Sequence, residues 1–249
     1  MQLSVVIPCL NESDTVAKCA ESAVNTIAKH KIEGEVIVAD NGSVDGSTTL
    51  ALAAGARVVN VPRKGYGSAL MGGIAAARGR YVIIGDADNS YDFRDIPLFL
   101  NKLEAGNDLV LGCRLPSGGG TILPGAMPWL HRWVGNPMFS LMARAWFGAP
   151  IHDVNCGLRA LSKELSQRLD QSCPGMAFAT EMVIKACFLG ATITEVPITL
   201  RPDGRMNHAP HLNTFRDGWN TLRMFLFFGL RSQFSSKGIR AWRERCALD

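Results

Sequence analysis

The 249-residue sequence lacks the glycine-rich motifs by which two large classes of nucleotide-binding protein are recognised. Its first strand-like run ends in "PCLNES", without the glycines of G-x-G-x-x-G, and G-x-x-x-x-G-K-[ST] occurs nowhere in the chain. In both motifs the glycines let backbone N–H groups approach a phosphate closely. Their absence disfavours a dinucleotide-dependent dehydrogenase and a P-loop NTPase.

The cysteine pattern gives no sign of a disulfide framework or a zinc site. The seven cysteines are scattered, odd in number, and include no C-x-x-C pair. The amino terminus, "MQLSVVIPCL", starts directly with a strand-like run and lacks the charged start and small-residue cleavage site of a signal peptide. We therefore expect a protein of the reducing cytoplasm.

Long apolar runs are also missing, since the densest late segment, "MFLFFGL", covers only 224–230, and a membrane-spanning helix needs roughly 20 residues. Positive charge is nevertheless concentrated late, because residues 201–249 hold nine Lys/Arg against four Asp/Glu, interspersed with Phe and Trp. We interpret residues 213–249 as a basic aromatic helical tail that contacts an anionic membrane surface, at the inner face of the cell membrane. A solvated helix face with ordinary core aromatics explains the pattern equally well.

Strand-like apolar runs alternate with helix-like segments along the chain. Because the runs are continuously apolar, we expect both faces of each strand to be buried. The first helix-like segment follows Ser13, which we expect to be its N-cap. The sequence predicts one α/β catalytic domain over 1–212, with a mostly parallel central sheet and helices on both faces. The runs lie at 3–8, 34–40, 56–62, 80–86 and 108–113, with a last strand within 192–200.

Polar side chains follow the first, second and fourth of these runs. In an open parallel sheet a ligand binds beyond the carboxyl ends of the strands, where such residues meet. In "ADNGSVDGS", an Asp at a strand end before a glycine turn can present its carboxylate to a ribose or a base edge, although an ordinary strand-to-helix turn has the same pattern. The residues at this edge are Pro8, Asn11, Glu12, Asp40, Asn41, Gly42, Ser43, Asp45, Asp86 and Asp88.

The fourth run ends in "GDADNSYD", which places two carboxylates, Asp86 and Asp88, one residue apart. On an extended strand end they point the same way and repel, unless a cation lies between them or one is protonated. Mg²⁺ and Mn²⁺ prefer such oxygen ligands and often complete their coordination with substrate phosphates. The pair is a candidate metal site for a diphosphate-bearing ligand, and a solvent-exposed turn is the alternative.

Five segments in chain order resemble the inverting family-2 glycosyltransferases, and within them the branch that transfers hexoses to dolichyl or polyprenyl phosphate. The resemblance implies a Rossmann-like, nucleotide-sugar-binding glycosyltransferase fold of the A type. It also implies a Mg²⁺ or Mn²⁺ cofactor and a donor such as UDP-glucose or GDP-mannose. The segments are "VVIPCLNES", "VIVADNGSVDGS", "RKGYGSALMGGIAAARGRYVIIGDADNSYD", "VNCGLRALSKE" and "TEVPITLRPDGR".

On the donor side the resemblance assigns roles to single residues. Asp86, Ala87 and Asp88 match the family's D-x-D, which binds the metal and the donor diphosphate. Two departures stand out: Asn41 occupies a position where many members carry a second Asp, and residues 89–90 differ from the Gln-bearing pattern of some relatives. The other implied donor contacts are Pro8, Asn11, Glu12 and Asp40 for base and ribose, Gly42 and Ser43 in their turn, and Lys64, Gly65 and Gly67 along the pocket.

On the acceptor side, Arg114 and Arg132 align approximately with arginines that bind the lipid phosphate in this branch. Arginine's planar fork suits phosphate oxygens, although each of these arginines is also compatible with an ion pair, and Arg159 with a structural role. The further candidates are Arg159, Arg201 and Arg205. Within a helix-like segment, Glu181 could orient a sugar hydroxyl or pair with Lys185 one turn on, and we favour the pair.

A phosphate acceptor changes the catalytic requirement, because a phosphate monoester is mostly dianionic at pH 7, its second pKa being about 6. No general base is then needed, and the protein must bring two anions together. The resemblance therefore predicts single-displacement transfer of a hexose to a polyprenyl phosphate, with inversion. Two alternatives are a glycosyltransferase acting on a soluble sugar or small-molecule hydroxyl and a non-catalytic nucleotide-sugar binder. Expected macromolecular partners are a membrane surface, a membrane subunit or a second copy, and no nucleic acid.

Overall fold

The structure, a computed structural model, describes residues 1–206 and 213–231. Nine strands are present in these ranges: Leu3–Cys9 (β1), Gly34–Asp40 (β2), Arg57–Asn60 (β3), Tyr81–Ile84 (β4), Leu109–Cys113 (β5), Thr121–Ile122 (β6), Arg159–Ser162 (β7), Ile193–Pro197 (β8) and Thr199–Leu200 (β9). Seven of them form one sheet in the order β3-β2-β1-β4-β7-β5-β8, while β6 and β9 form a small second sheet. Neighbours are parallel except where β7 is involved, which confirms the predicted mostly parallel sheet.

Helices cover both faces of the large sheet, as predicted. They are Val16–Lys29 (α1), Ser47–Ala53 (α2), Tyr66–Ala76 (α3), Ile96–Glu104 (α4), Asn136–Phe147 (α5), Lys163–Leu169 (α6), Phe178–Phe188 (α7) and Thr214–Arg231 (α8). Successive strand residues face opposite sides, so Val5 and Ile7 of β1 pack into the core that α1 and α4 cover, whereas Val6 packs into the core under α3 and α7. All three side chains are fully buried, which explains why the run is continuously apolar.

Strand β7 is the part of the sheet that the sequence did not predict. It lies between β4 and β5 and is antiparallel to both, with Arg159 opposite Ile84 and Leu111. Its four residues run directly into α6, so the pattern gave no separate strand signal. Because β7 runs in reverse, residues 153–158 lie at the edge where the parallel strands end. That edge holds the predicted site.

Two boundaries differ from the predictions. Helix α1 begins at Val16 with Thr15 at its N-cap position, so the prediction of Ser13 as N-cap is wrong. The backbone N–H of Ser13 instead donates to Asp45 Oδ2 at 2.9 Å, which ties the loop after β1 to the loop after β2. Strand β4 ends at Ile84, so the two carboxylates lie in the following loop rather than on the strand itself.

Helix α8 belongs to the segment that the sequence assigned to a tail. Its Met224, Phe225 and Phe228 are buried, and the Phe225 ring stacks on Phe139 of α5 with centroids 5.7 Å apart. This part of the segment therefore packs on the domain formed by the large sheet, whereas residues 207–212 and 232–249 lie outside the described residues. Across the described ranges, no helix combines the length and the apolar character needed to cross a membrane.

Candidate functional site

The loops after β1 and β2 are joined by hydrogen bonds between the backbone of one and side chains of the other. Asn11 N–H donates to Ser43 Oγ at 2.9 Å, and Glu12 N–H donates to Ser47 Oγ at 2.8 Å. In return, Val44 N–H donates to Asn11 Oδ1 at 2.9 Å. Asn11 adopts φ 55°, a left-handed conformation that Asn tolerates better than most residues. These bonds hold two of the predicted donor-binding loops in one arrangement.

Asp40 is the last residue of β2 and is 95% buried, and its carboxylate accepts hydrogen bonds from the turn that follows. Its oxygens accept the N–H groups of Gly42 at 3.0 Å and Ser43 at 3.1 Å, and Gly42 has φ 92°, which favours glycine. Pro8 lies within β1, opposite Ala39 of β2. The structure thus brings all of these predicted base and ribose contacts to the carboxyl edge of β1 and β2.

The amide of Asn41 explains why this chain departs from the family pattern at that position. Its Nδ2 donates to Val61 O at 2.9 Å and to Arg63 O at 2.7 Å, while its Oδ1 accepts Gly65 N–H at 2.8 Å. A carboxylate could not donate to the two carbonyls, so Asp would not fit here. The backbone carbonyl of Asn41 also accepts Lys64 Nζ at 2.6 Å, which places the lysine over the turn after β2.

The glycines at 65 and 67 are explained by close packing with the loop 172–175. A Cβ at Gly65 would lie 2.3 Å from the carbonyl oxygen of Pro174, and one at Gly67 would lie 2.2 Å from that of Cys173. Gly65 also has φ 123°, whereas Gly67 is buried. Gly67 therefore packs against this loop rather than lining the open pocket.

Glu181 of α7 accepts hydrogen bonds from the backbone of that loop. Its carboxylate accepts Ser172 N–H at 3.1 Å and Cys173 N–H at 3.0 Å, and it pairs with Lys185 at 2.6 Å. Both members of the pair are buried, so the carboxylate is not available to a sugar hydroxyl. The favoured helix pair is confirmed.

The two carboxylates after β4 lie in different surroundings. Asp86 is half-buried, and its Oδ1 accepts the Tyr66 hydroxyl at 2.7 Å. Its Oδ2 lies close to Gly157, where an added Cβ would be 2.3 Å from this oxygen. Burial, and next the charge of Asp88, raise the pKa of Asp86 to about 6. Asp88 is partly exposed, and its Oδ1 accepts both the N–H and the hydroxyl of Ser90, at 3.0 and 2.6 Å.

This pair fits a hard divalent cation. Removal from solvent is the main cause of the raised pKa of Asp86, and the neighbouring charge of Asp88 adds to it, so a bound cation would stabilise both carboxylates. Within residues 1–206 and 213–231, no group of three His, Cys, Asp or Glu side chains is arranged to hold a metal ion. A cation at Asp86 and Asp88 would therefore take its remaining oxygens from a bound ligand or water, as Mg²⁺ commonly does with phosphates. Ser90 positions Asp88, which gives this residue a role that the sequence left open.

Arg114, predicted to bind the acceptor phosphate, forms a buried ion pair with Asp153. Its Nε and Nη2 donate to the two carboxylate oxygens at 2.7 and 2.8 Å, and its backbone N–H donates to Oδ2 at 3.0 Å. The third nitrogen, Nη1, lies 3.4 Å from the hydroxyl of Tyr91. Because Asp153 neutralises the guanidinium, the structure favours the ion-pair alternative for Arg114.

Arg159 is 99% buried at the start of β7, and its guanidinium donates to backbone carbonyls. Nη1 bonds Ala179 O at 2.8 Å, and Nε bonds Cys156 O at 3.0 Å. Five carbonyl and sulfur contacts engage the guanidinium nitrogens, so the structure favours the structural alternative over substrate binding here. The arginine fixes the loop 153–157 against α7.

The remaining predicted arginines differ in their surroundings. Arg201 is partly exposed and pairs with Asp92 at 2.8 Å. Arg205 donates through Nε to both oxygens of Glu12, at 3.0 and 2.7 Å, and its Nη1 lies 3.5 Å from Asp88 Oδ2. Arg132 lies in a π-helical turn before α5, over the ring of Trp133, and its Nε is buried without a hydrogen-bond partner in the described part of the chain.

The sequence did not single out four residues that shape the site: Tyr66, Tyr91, Asp153 and Gly157. Tyr66 bonds Asp86, and the Tyr91 hydroxyl accepts Gly157 N–H at 2.9 Å. Three of them are brought to the edge by the reversed strand β7 or by the loop after Asp88, and neither placement follows from the chain order. Tyr66 stood inside a quoted motif, "RKGYGS", but nothing in its spacing pointed to Asp86.

The sheet order, the single reversed strand and the D-x-D loop at the carboxyl edge define a nucleotide-sugar-binding glycosyltransferase fold of the A type. Residues 4–169, more than half of the chain, match the family described as glycosyl transferase family 2. The chain belongs to this family, as its motifs predicted.

Relatives and solved structures agree with this assignment. The chain is 39% identical over 238 residues to the low-salt glycan biosynthesis hexosyltransferase Agl6 of Haloferax volcanii, covering 95% of this chain and 56% of that protein. It is 31% identical over 199 residues to the dolichyl-phosphate hexose transferase of the same organism, covering 80% and 82%. The fold matches the crystal structure of Mycobacterium tuberculosis glucosyl-3-phosphoglycerate synthase with Mn²⁺, UDP and glucosyl-3-phosphoglycerate, with a TM-score of 0.66, 26% identity and coverage of 90% and 78%.

Proposed function

We propose that this protein transfers a hexose from a nucleotide-sugar donor, of the UDP-glucose or GDP-mannose type, to a polyprenyl or dolichyl phosphate with inversion. The observation that carries the proposal is the carboxylate pair, Asp86 and Asp88, positioned by Tyr66 and Ser90 at the edge where hydrogen bonds join the loops after β1 and β2. The similarity to a dolichyl-phosphate hexose transferase supports the class of acceptor. A solved relative that holds Mn²⁺ and UDP together supports the donor class and the metal.

The residues divide the task as follows. The loops that contain Asn11, Asp40 and Ser43 bind the nucleoside, and Lys64 lies where it can meet the diphosphate. Asp86 and Asp88 would hold a Mg²⁺ or Mn²⁺ ion, which when bound would supply Lewis-acid stabilisation of the leaving diphosphate. The acceptor phosphate needs no general base, since it is mostly dianionic at pH 7. The protein must instead position the acceptor phosphate in line with the bond between the anomeric carbon and the leaving diphosphate.

Arg132 is the arginine best suited to that acceptor phosphate. Its Nε has no hydrogen-bond partner among the described residues, and a buried unpartnered N–H is costly unless a ligand pairs with it. Arg114 and Arg159, by contrast, are engaged by protein groups. The two exposed tryptophans beside Arg132 suit the polar–apolar boundary of a membrane, where Trp rings are enriched. They are Trp129, 69% exposed, and Trp133, 59% exposed.

Helix α8 supports a peripheral membrane position. Phe215, Trp219 and Leu226 are exposed at spacings of four and seven residues, so they lie on one face of the helix. Arg216 and Arg223 are exposed next to this face. An exposed apolar stripe flanked by arginines is the pattern of a helix that lies in the headgroup region of an anionic bilayer. The first residue of α8 contacts the Trp129–Trp133 segment, since His131 Nε2 lies 3.1 Å from Thr214 Oγ1.

One experiment separates the proposed acceptor from the alternatives. Purified protein is incubated with Mn²⁺, labelled UDP- or GDP-hexoses, and either undecaprenyl phosphate, dolichyl phosphate or phosphoglyceric acid as a soluble phosphate acceptor. We expect label in a mild-acid-labile lipid with a β-linkage. Label only in the soluble phosphate product would replace the acceptor in the proposal. An α-linked lipid product from an α-linked donor would contradict single displacement.

The membrane position has its own test. The protein is sedimented with vesicles of phosphatidylglycerol, or of phosphatidylcholine alone, at low and high salt. We expect binding to the anionic vesicles that weakens when Trp129 and Trp133 are both replaced by Ser. Equal sedimentation of the wild type and the double variant would contradict the role of the tryptophans.

A further inference from the structure

Residues 201–206, called the strap below, connect the loop after β4 with the loop after β1. Arg201 N–H donates to Ser90 O at 2.9 Å, and Gly204 N–H donates to Asp88 O at 2.9 Å. At its end, Met206 N–H donates to Asp14 Oδ2 at 2.9 Å. The strap is thus bonded both to the loop after β4 and to the loop after β1.

Arg205 of the strap lies between the carboxylates of these two loops. Its side chain is only 10% exposed, and it forms a two-pronged contact with Glu12 while Nη1 lies 3.5 Å from Asp88 Oδ2. Asp203 pairs with the same Nη1 at 2.5 Å. One guanidinium therefore compensates three carboxylates, in a position where solvent screens little of the interaction.

With this contact, both carboxylate oxygens of Asp88 face groups of the protein. Its Oδ1 accepts the N–H and the hydroxyl of Ser90, and its Oδ2 faces Arg205. A divalent cation that approaches Asp88 would meet the positive charge of Arg205 at close range, and the two cations repel. Metal binding at Asp88 is therefore favoured when Arg205 moves away from this carboxylate.

We propose that Arg205 is a placeholder cation: its guanidinium occupies the position beside Asp88 and keeps a metal ion from the metal seat, which Asp86 and Asp88 form. The guanidinium leaves this position when the diphosphate of a bound nucleotide pairs with it instead. This inference rests on the proposed function, because it takes Asp86 and Asp88 as the metal ligands. The diphosphate suits the planar fork of Arg205 as well as Glu12 does. The metal ion and the donor are then bound cooperatively, since each favours the conformation in which Arg205 has left Asp88.

The test measures binding rather than turnover. Mn²⁺ affinity is determined by electron paramagnetic resonance of the free ion, first with Mn²⁺ alone and then with UDP or GDP present. For Arg205→Gln we expect Mn²⁺ alone to bind at least about tenfold more tightly than to the wild type, because a nearby positive charge is removed. We also expect the nucleotide to increase Mn²⁺ affinity much less in this variant than in the wild type, because the coupling passes through Arg205.

Matched variants separate the effect from general charge and from misfolding. Arg94→Gln removes a positive charge from the same side of the molecule, but Arg94 pairs with Asp92 and is exposed, so we expect Mn²⁺ affinity within about twofold of the wild type. Arg205→Lys keeps the charge without the fork and should lie between wild type and Arg205→Gln. If Arg205→Gln does not fold by circular dichroism, the lysine variant carries the comparison.

The outcomes distinguish this inference from the proposed function. Mn²⁺ affinity in Arg205→Gln or Arg205→Lys that is no higher than in Arg94→Gln overturns the placeholder role, even if the wild type binds Mn²⁺ with UDP or GDP. Failure of the wild type to bind either nucleotide with Mn²⁺ overturns the proposed donor instead. The comparison with Mn²⁺ alone then still decides whether Arg205 closes the seat.

Discussion

The two sides of the site are built differently. On the donor side, hydrogen bonds that involve Asn11, Asn41 and Ser43 link the loops after β1, β2 and β3. On the side where the acceptor would enter, Arg132 has an unpartnered nitrogen and the neighbouring tryptophans are exposed. A rigid pocket lowers the entropic cost of binding a small, well-defined ligand. A surface with unpaired and apolar groups instead needs its partner to complete it.

Replacing Asp88 should have the largest effect on activity. Asp88→Asn removes one of the two carboxylates that we propose as metal ligands, and we expect kcat/KM to fall by on the order of 10³-fold, since metal stabilisation of a leaving diphosphate is worth several kcal/mol. The measurement is transfer at several Mn²⁺ concentrations, with circular dichroism as the control for folding. Turnover close to that of the wild type would refute the assignment.

A smaller effect is expected on the acceptor side. Arg132→Gln should lower kcat/KM for the lipid phosphate about 10- to 100-fold, because a charged hydrogen bond is worth about 1.5–3 kcal/mol, while donor hydrolysis in the absence of acceptor stays unchanged. Arg80→Gln is the matched control, since Arg80 lies over the Tyr81 ring at the opposite edge of the sheet. An equal loss in both variants would remove the acceptor role.

The donor side can be loosened without touching the metal seat. Asn41→Asp replaces the two N–H donors to Val61 O and Arg63 O by a carboxylate oxygen, and we expect a loss of about 2 kcal/mol in the free energy of unfolding, with a higher donor KM. Asn25→Asp, on the exposed face of α1, should change stability by less than about 0.5 kcal/mol. Urea unfolding of both variants makes the comparison, and equal stability would show that the amide does not hold the loop.

The smallest predicted effect is a gain in stability. The pKa of Asp86 is about 6 in the folded chain against an ordinary value of 3.8, so the folded state holds the proton more tightly than the unfolded state. The free energy of unfolding should therefore fall as pH rises from about 4 to about 6. Asp86→Asn removes this fall while Oδ1 can still accept the Tyr66 hydroxyl, so the variant should be more stable than the wild type by on the order of 1–2 kcal/mol at pH 7.5.

Thermal unfolding at pH 4 and pH 7.5 checks this prediction. At pH 4 the two proteins should differ little, because the wild-type carboxyl is then mostly protonated. A variant that is less stable at pH 7.5 would show that Asp86 is well compensated in the folded protein.

The sequence predicted the donor side better than the acceptor side, for a physical reason. Asp40, Asp86 and Asp88 follow parallel strands, and parallel strands end at one edge, so their meeting could be inferred from order alone. Arg114 and Arg159 are charged residues whose partners come from a reversed strand and its preceding loop. Without β7, nothing in the chain indicated that Asp153 would neutralise Arg114.

Asn41 and Ser13 show a second limit. The departure at Asn41 was visible in the sequence, but its reason lies in three backbone groups of another loop, which only the fold brings near. Ser13 has the right residue type for an N-cap, but its N–H is drawn to Asp45 of the neighbouring loop, and the helix starts three residues later. In both cases the deciding contact is with another loop, which the neighbouring sequence does not reveal.

The reversed strand β7 also has a consequence for how the protein acquires its site during folding. Strands β4 and β5 do not pair with each other, and only β7, which follows β5 by more than 40 residues in the chain, joins them. Contacts between distant segments form late, because closing the intervening loop costs entropy. The contact of Gly157 with Asp86 and the pair of Arg114 with Asp153 should therefore appear together with global folding. Asp86 should therefore meet its neighbour Gly157 only once the whole sheet has formed.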